Sequence, residues 1–257
     1  MSTPLLEVRD LTLQVGARIL VRELSFQINP SEVWCMLGPN GAGKTTFLHT
    51  VVGLRESQAG MVRLAGRTLG DWSAAEAARQ RGFLPQTYHD AFSASVLDSV
   101  MLGRHPYLSR WQWEGEGDRE IAIDALAAVD LAGFAQRDVL ALSGGERQRV
   151  ALAALLAQDA PLLLLDEPVS HLDLHHQLLV LDHLGKLARE RGTGVLFTVH
   201  DLNLATRFAS HALLLTPQGT VQQGPIGEVM TETALWCAFG HRVSRIEAAG
   251  RVLFVPE

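Results

Sequence analysis

Residues 5–15 (LLEVRDLTLQV) and 19–28 (ILVRELSFQI) alternate apolar and polar positions, the pattern of strands with one buried and one wet face, and predict an antiparallel pair. Residues 32–38 (EVWCMLG) break that alternation. They are apolar on both sides and stop at glycine, which predicts a buried parallel strand. A helix is expected over residues 45–54, a hairpin with an Ala-Gly turn over 60–70, and a short strand over 81–86 halted by Pro85. From about residue 87 to 157 the period becomes helical, as in SVLDSVMLGR and REIAIDALAAVDLAGF. Two further apolar strands, at 161–167 (PLLLLDE) and 193–200 (TGVLFTVH), flank a helix at 175–192. Strand, helix, strand in that order predicts right-handed crossovers and a parallel sheet. A second hairpin is expected over 211–224, followed by a helical and mixed segment to Glu257. The chain carries no internal repeat and no low-complexity linker.

Composition narrows the class. At 257 residues, 47% hydrophobic and 19% charged, the chain can bury a large core. A net charge of -6 argues against a protein that works through a global positive field, so no nucleic-acid partner is expected. Two cysteines, Cys35 within an apolar run and Cys237, make no disulfide framework and point to a reducing compartment. No basic lead precedes an apolar stretch at the start of the sequence, so no secretory leader is expected. The longest apolar region, residues 150–167, is broken by Gln158, Asp159 and Pro161 before it reaches membrane-spanning length. A soluble cytoplasmic chain is expected, one still free to dock on a membrane protein.

Three of the predicted parallel strands end in chemistry. The first runs into GPNGAGKTT, comprising Gly38, Pro39, Asn40, Gly41, Ala42, Gly43, Lys44, Thr45 and Thr46. This matches G-x-x-x-x-G-K-[ST] after a buried strand and before a helix, where backbone N–H groups and the helix N-terminus wrap a phosphate chain. The second ends in Asp166 and Glu167 directly after four leucines. Carboxylates there are expensive to bury and should face a cavity or a cation, Asp166 with the hydroxyl of Thr45 suiting Mg2+ and Glu167 an attacking water. The third ends at His200. In open parallel sheets ligands bind at the carboxyl ends of the strands, so a phosphate loop, an acidic pair and a histidine at three such ends read as one site.

These segments, with Gln86 in LPQ, LSGGERQR at 142–149, SHLD at 170–173 and His200, occur in the order found in ABC transporter ATPase subunits, which the chain resembles over nearly its whole length. More narrowly it resembles the ATPases of importers for iron-siderophore complexes, haem and cobalamin, through GRHPYLSRW, LDLHHQ, HDLNLA and the ending FGHRVSRIEAAGRVLFVPE. The resemblance implies an α/β fold: a P-loop NTPase core with a mainly parallel sheet, an N-terminal antiparallel β subdomain and an inserted α-helical subdomain. It implies that residues 1–257 form a single ATPase domain, with the α/β core and its antiparallel part in 1–86 and 158–225, the helical part in 87–157 and a C-terminal segment in 226–257. It implies ATP and Mg2+ as cofactors, Gln86 near the metal and the water, and Asp173 at a subunit junction. A second copy of the chain, two transmembrane permease subunits and, indirectly, a substrate-binding protein are the implied partners, at the cytoplasmic face of the membrane. A soluble ABC ATPase of repair, translation or cofactor assembly, or an exporter ATPase, is the alternative.

The stretch LSGGE raises a further question, because Gly144 and Gly145 weaken the helix they open by roughly 1 kcal/mol each relative to alanine. A capping box accounts for Ser143 and Glu146 but not for the glycines. A helix end with bare glycine amides and a serine hydroxyl is a second anion site, for which one chain with one nucleotide has little use. Two chains meeting head to tail would let Ser143, Gly144 and Gly145 face the partner's nucleotide.

Other residues stay outside this scheme. Val15 stands where many of these ATPases place an aromatic residue on adenine, and the adenine contact is left unassigned. His171, His175 and His176 surround Asp173, and the spacing of His171 to His175 suits one helical face, but zinc needs a third well-placed ligand, and no metal is assigned to them. Trp111 and Trp113 are either a docking surface for a membrane-subunit helix or an anchor for the helical part.

Overall fold

The computed structural model describes residues 3–87, 92–109, 114–248 and 250–257. Trp111 and Trp113 lie outside the described residues. In chain order the elements are β1 (Leu6–Val15), β2 (Arg18–Ile28), β3 (Val33–Leu37), α1 (Lys44–Val51), β4 (Ala59–Leu64), β5 (Arg67–Thr68), α2 (Ala74–Gln80) and β6 (Arg81–Leu84). The helical stretch holds α3 (Val96–Met101), α4 (Glu116–Ala128) and α5 (Gly144–Ala157). Then come β7 (Leu162–Leu165), α6 (Leu174–Arg191), β8 (Gly194–Thr198), α7 (Leu202–Phe208), β9 (His211–Leu215) and β10 (Val221–Pro225). Two short helices, α8 (Ile226–Val229) and α9 (Glu232–Phe239), lead to β11 (Val243–Ala248) and β12 (Arg251–Pro256).

The strands that read as apolar on both sides form the middle of a six-stranded sheet, in the order β10-β9-β3-β8-β7-β6. From β9 to β6 the neighbours run parallel, and β10 returns antiparallel to β9. Their burial on both faces has a simple geometric cause, because successive side chains of a strand point to opposite faces. Cys35, Leu163, Val195, Phe197 and Leu214 enter the core beneath α3–α7, whereas Trp34, Met36, Leu164, Leu196 and Leu213 enter the core shared with α1 and the first strands. Burial pushes the Cys35 thiol well up, so it behaves as a small apolar side chain.

The predicted antiparallel pair forms, with Leu6 opposite Ile28 and Val8 opposite Phe26, and β4 joins its other edge to make a four-stranded sheet β2-β1-β4-β5. The Ala-Gly hairpin between β4 and β5 turns through Ala65 and Gly66, both at positive φ (47 and 79) as a type I′ turn requires. Helices α3, α4 and α5 pack on one another.

The segment beyond residue 225 is more ordered than its sequence pattern predicts, for it ends in the hairpin β11–β12. Asn203 at the start of α7 locks that hairpin down: its Oδ1 accepts from the Phe254 N–H at 2.8 Å and its Nδ2 donates to the Phe254 carbonyl at 3.3 Å. Two of the subfamily cues, HDLNLA and the C-terminal ending, are thus one packed unit. A third has a structural role as well. Arg104 of GRHPYL is buried, donates to Asp118 Oδ1 and to the Ala157 carbonyl, both at 2.9 Å, and stacks over Tyr107. Its hydrogen bond holds the Asp118 carboxyl below the usual range.

Candidate functional site

The carboxyl ends of β3, β7 and β8 lie side by side in the parallel sheet, and the three predicted chemical groups meet there. One pocket is lined by Asn40, Gly41, Gly43, Lys44, Thr45 and Thr46 from the loop into α1, together with Gln86, Glu167 and His200. Val15, Arg18 and Leu20 line its far side, so the position that lacks an aromatic residue is part of the pocket.

The glycines of the loop answer to geometry. Gly43, the residue before α1, has φ 106, and a Cβ there would lie 2.9 Å from Leu20 Cβ. Gly38 has φ 151, and its Cβ would meet the Leu215 carbonyl oxygen at 2.9 Å. Both positions therefore exclude a side chain on conformation and on space. Pro39 and Ala42 are held in the same turn by the Ala42 N–H, which donates to the Pro39 carbonyl at 3.1 Å. Lys44 is buried and donates to the carbonyls of Gly38 (2.9 Å) and Pro39 (3.4 Å). Burial pulls its ammonium pKa down, against the charges of Glu167 and Asp166, which raise it.

At the end of β7, Asp166 is 1% exposed. One oxygen, Oδ1, accepts from the Thr198 hydroxyl at 2.7 Å. The other, Oδ2, is buried with no hydrogen-bond partner among the described residues. A buried carboxylate oxygen left unpaired costs free energy unless a cation completes it, so the donor set here fits a hard divalent ion. Glu167 sits in the left-handed region (φ 50), an uncommon conformation for a non-glycine residue that clusters at functional sites. It is held there by its own N–H, which donates to Thr198 Oγ1 at 2.7 Å, and its Oε1 meets His200 Nε2 at 2.7 Å.

Thr198 is a positioning residue that the motif reading passed over. The signal was a polar residue inside the otherwise apolar strand LFTVH, fully buried in the fold. Thr198→Val is expected to strip the partner from both the Glu167 amide and Asp166 Oδ1, costing about 1–3 kcal/mol. A urea titration checks this, with a lowered midpoint at unchanged slope.

LSGGE forms the capping box expected of it: the Ser143 N–H donates to Glu146 Oε2 at 2.7 Å and the Glu146 N–H returns to Ser143 Oγ at 3.3 Å. Hydrogen bonds from the Ser143 side chain and from its backbone N–H keep the Glu146 carboxyl below its ordinary range. Ser143 and Gly144 are exposed, and a Cβ at Gly144 would have no atom of the described residues within 4 Å beyond its own helix. Gly145 differs, since its Cβ would press on the His171 carbonyl oxygen at 3.2 Å; packing against the segment after β7 accounts for that glycine. None of Ser143, Gly144 and Gly145 lines the pocket around Lys44.

The segment 168–173 is held by side chains from α5 and α6. Gln148 of α5 donates to the Pro168 carbonyl, and Gln177 of α6 to the carbonyls of Val169 (3.2 Å) and Leu172 (3.1 Å). Asp173 caps α6, accepting the His176 N–H at 2.9 Å and His176 Nδ1 at 2.8 Å, and both bonds hold its carboxyl low. His171 precedes α6, with Nδ1 3.0 Å from Ser170 Oγ, so the expected pairing of His171 and His175 on one helical face is not realised.

The ABC transporter family description matches residues 21–170. The chain is 40% identical over 231 residues to the iron(3+)-hydroxamate import ATP-binding protein FhuC of Bacillus subtilis (strain 168), spanning 90% of this chain and 86% of that protein. It is 43% identical to the hemin import ATP-binding protein HmuV of Pseudomonas entomophila (strain L48), spanning 92% of each. Among solved structures it is similar to a transporter assigned to the metal-chelate type, in an inward-facing conformation, with TM-score 0.86 and 29% identity over 99% of this chain and 98% of that one.

Proposed function

The chain belongs to the ABC transporter family as an ATP hydrolase coupled to transport, and from that premise we propose that two copies of it bind ATP head to tail beneath a pair of permease subunits. The work done is the uptake of an iron chelate (siderophore or haem) or of cobalamin. The observation that carries the chemistry is the unpaired, buried Oδ2 of Asp166, beside the Glu167–His200 pair in the pocket of Lys44. No helix among the described residues is long and apolar enough to cross a membrane, so association with the membrane runs through the permease.

In this reading the amides of the loop from Gly38 to Thr46 and the Lys44 ammonium hold the phosphate chain. The Thr45 hydroxyl, the Asp166 carboxylate and the Gln86 amide would hold Mg2+, which would supply neutralisation of phosphate charge. Glu167 orients and polarises the attacking water, and His200 steadies both Glu167 and the γ-phosphate. Ser143, Gly144 and Gly145 complete the site of the other copy, with Asp173 at the junction. Support for that last step is the exposure of Ser143 and Gly144 on a helix end outside the pocket of their own chain. Closure follows ATP, because only the closed pair makes both sets of phosphate contacts.

The cargo is tested in the source cell by deleting this chain and measuring uptake of a labelled ferric hydroxamate, haem and cobalamin separately. One of the three is expected to fall to background while the other two persist. Survival of all three uptakes would overturn the importer assignment in favour of a soluble or exporter ATPase.

A further inference from the structure

The turn after α4 brings Asp130 against the start of α6, where it meets His175 and His176. One ligand atom of each of these three residues lies within 4.8 Å of the other two. His176 Nε2 lies 3.7 Å from Asp130 Oδ2. Asp173 fixes the ring of His176 from behind, because its carboxylate can only accept and His176 Nδ1 must therefore donate to it, at 2.8 Å. Nε2 is then the ring nitrogen left to face Asp130, as a donor when the ring is charged and as a ligand to a cation when it is neutral. His175 presents its ring edge-on to His176, with centroids 5.1 Å apart and an interplanar angle of 75°.

We propose that Asp130, His175 and His176 form a second cation site, which takes a divalent transition metal of the zinc class. Imidazole nitrogen with one carboxylate suits such metals over Mg2+ or Ca2+, which prefer oxygen alone. Tetrahedral bonds of about 2.0–2.1 Å put ligand atoms roughly 3.4 Å apart. The 3.7 Å pair is close to that spacing, and the exposed side chains of His175 and Asp130 are free to close the rest. The Asp173–His176 contact supplies the carboxylate behind the ligating histidine that such sites use to set tautomer and orientation. None of the three ligands lines the pocket of Lys44, so this is a site apart from the nucleotide.

The site joins two parts of the fold. Asp130 belongs to the turn between α4 and α5, which Arg149 of α5 anchors by donating to the carbonyls of Val129 and Asp130, both at 3.1 Å. His175 and His176 lie in the first turn of α6, after the Asp173 cap and Leu174. Bound metal therefore ties the helical segment to the residue placed at the subunit junction and restricts its movement.

Zinc titration of the nucleotide-free full-length chain against a chromophoric chelator tests the proposal. Wild type is expected to take one zinc per chain at this site, and His175→Ala to weaken it ~10-fold or more. Asp130→Asn is expected to do the same while tolerating the positive φ of 58 at that position. His171→Ala is expected to bind as wild type does. Wild-type affinity in both Asp130→Asn and His175→Ala would overturn the site, and so would a wild-type chain that takes no zinc.

Discussion

Glu167→Gln is expected to leave a protein that binds ATP, hardly turns it over and accumulates as an ATP-bound dimer. The substitution keeps the shape of the side chain and an acceptor for His200, whose Nε2 lies 2.7 Å from Glu167 Oε1, but removes the negative charge that draws a proton from water. A positioned general base contributes about 10²–10⁴-fold, and hydrolysis should fall by that range. Binding should survive, because Lys44, the loop amides and Asp166 are untouched. The backbone should hold too, since the amide of residue 167 keeps its bond to Thr198 Oγ1 and φ 50 is no harder for glutamine than for glutamate. Size-exclusion chromatography with ATP reads the outcome as a doubling of apparent mass. A Glu167→Gln chain that stays monomeric with ATP bound would count against the sandwich.

Ser143→Arg is expected to abolish hydrolysis while leaving the affinity of the isolated chain for ATP nearly intact. Ser143 is exposed at the head of α5 and lies outside the pocket that holds Lys44, so a long cation there should obstruct only a nucleotide brought by a partner. The same change breaks the capping box, at a cost of about 0.5–2 kcal/mol, and puts positive charge on a positive helix end. Ser143→Ala loses the same cap without the bulk, so comparing the two separates helix stability from interface geometry. Fluorescent-nucleotide binding and steady-state hydrolysis, measured side by side, give the answer. Equal loss of both in Ser143→Arg would place Ser143 in its own chain's nucleotide site and remove the argument for two copies.

Much of the site is legible in one dimension because each of its parts is local. A loop that cradles phosphate needs glycines at fixed offsets, and Gly38 and Gly43 prove to be positions where a Cβ has neither the dihedral angle nor the room. Carboxylates after four leucines announce a buried strand ending at a polar site, and the parallel sheet brings that end beside His200. Thr198 was harder to read, since a hydroxyl in a strand gives no hint of which neighbour it will serve. Its two partners come from β7, more than thirty residues away in the chain.

The sequence by itself determined the periodicity of the strands and helices, the phosphate loop, the acidic strand end and the capped glycine helix. Each rests on interactions within a few residues, where spacing alone dictates what a backbone can do. Tertiary structure alone decided which residues from distant segments face one another. It set Asn203 against the C-terminal hairpin, closed Gly145 onto the His171 carbonyl, left Asp166 Oδ2 without a partner among the described residues, and brought His176 to Asp130 where the spacing had suggested His171 with His175. Those contacts arise where separately folded elements pack together, and no periodicity along the chain encodes the register in which they meet.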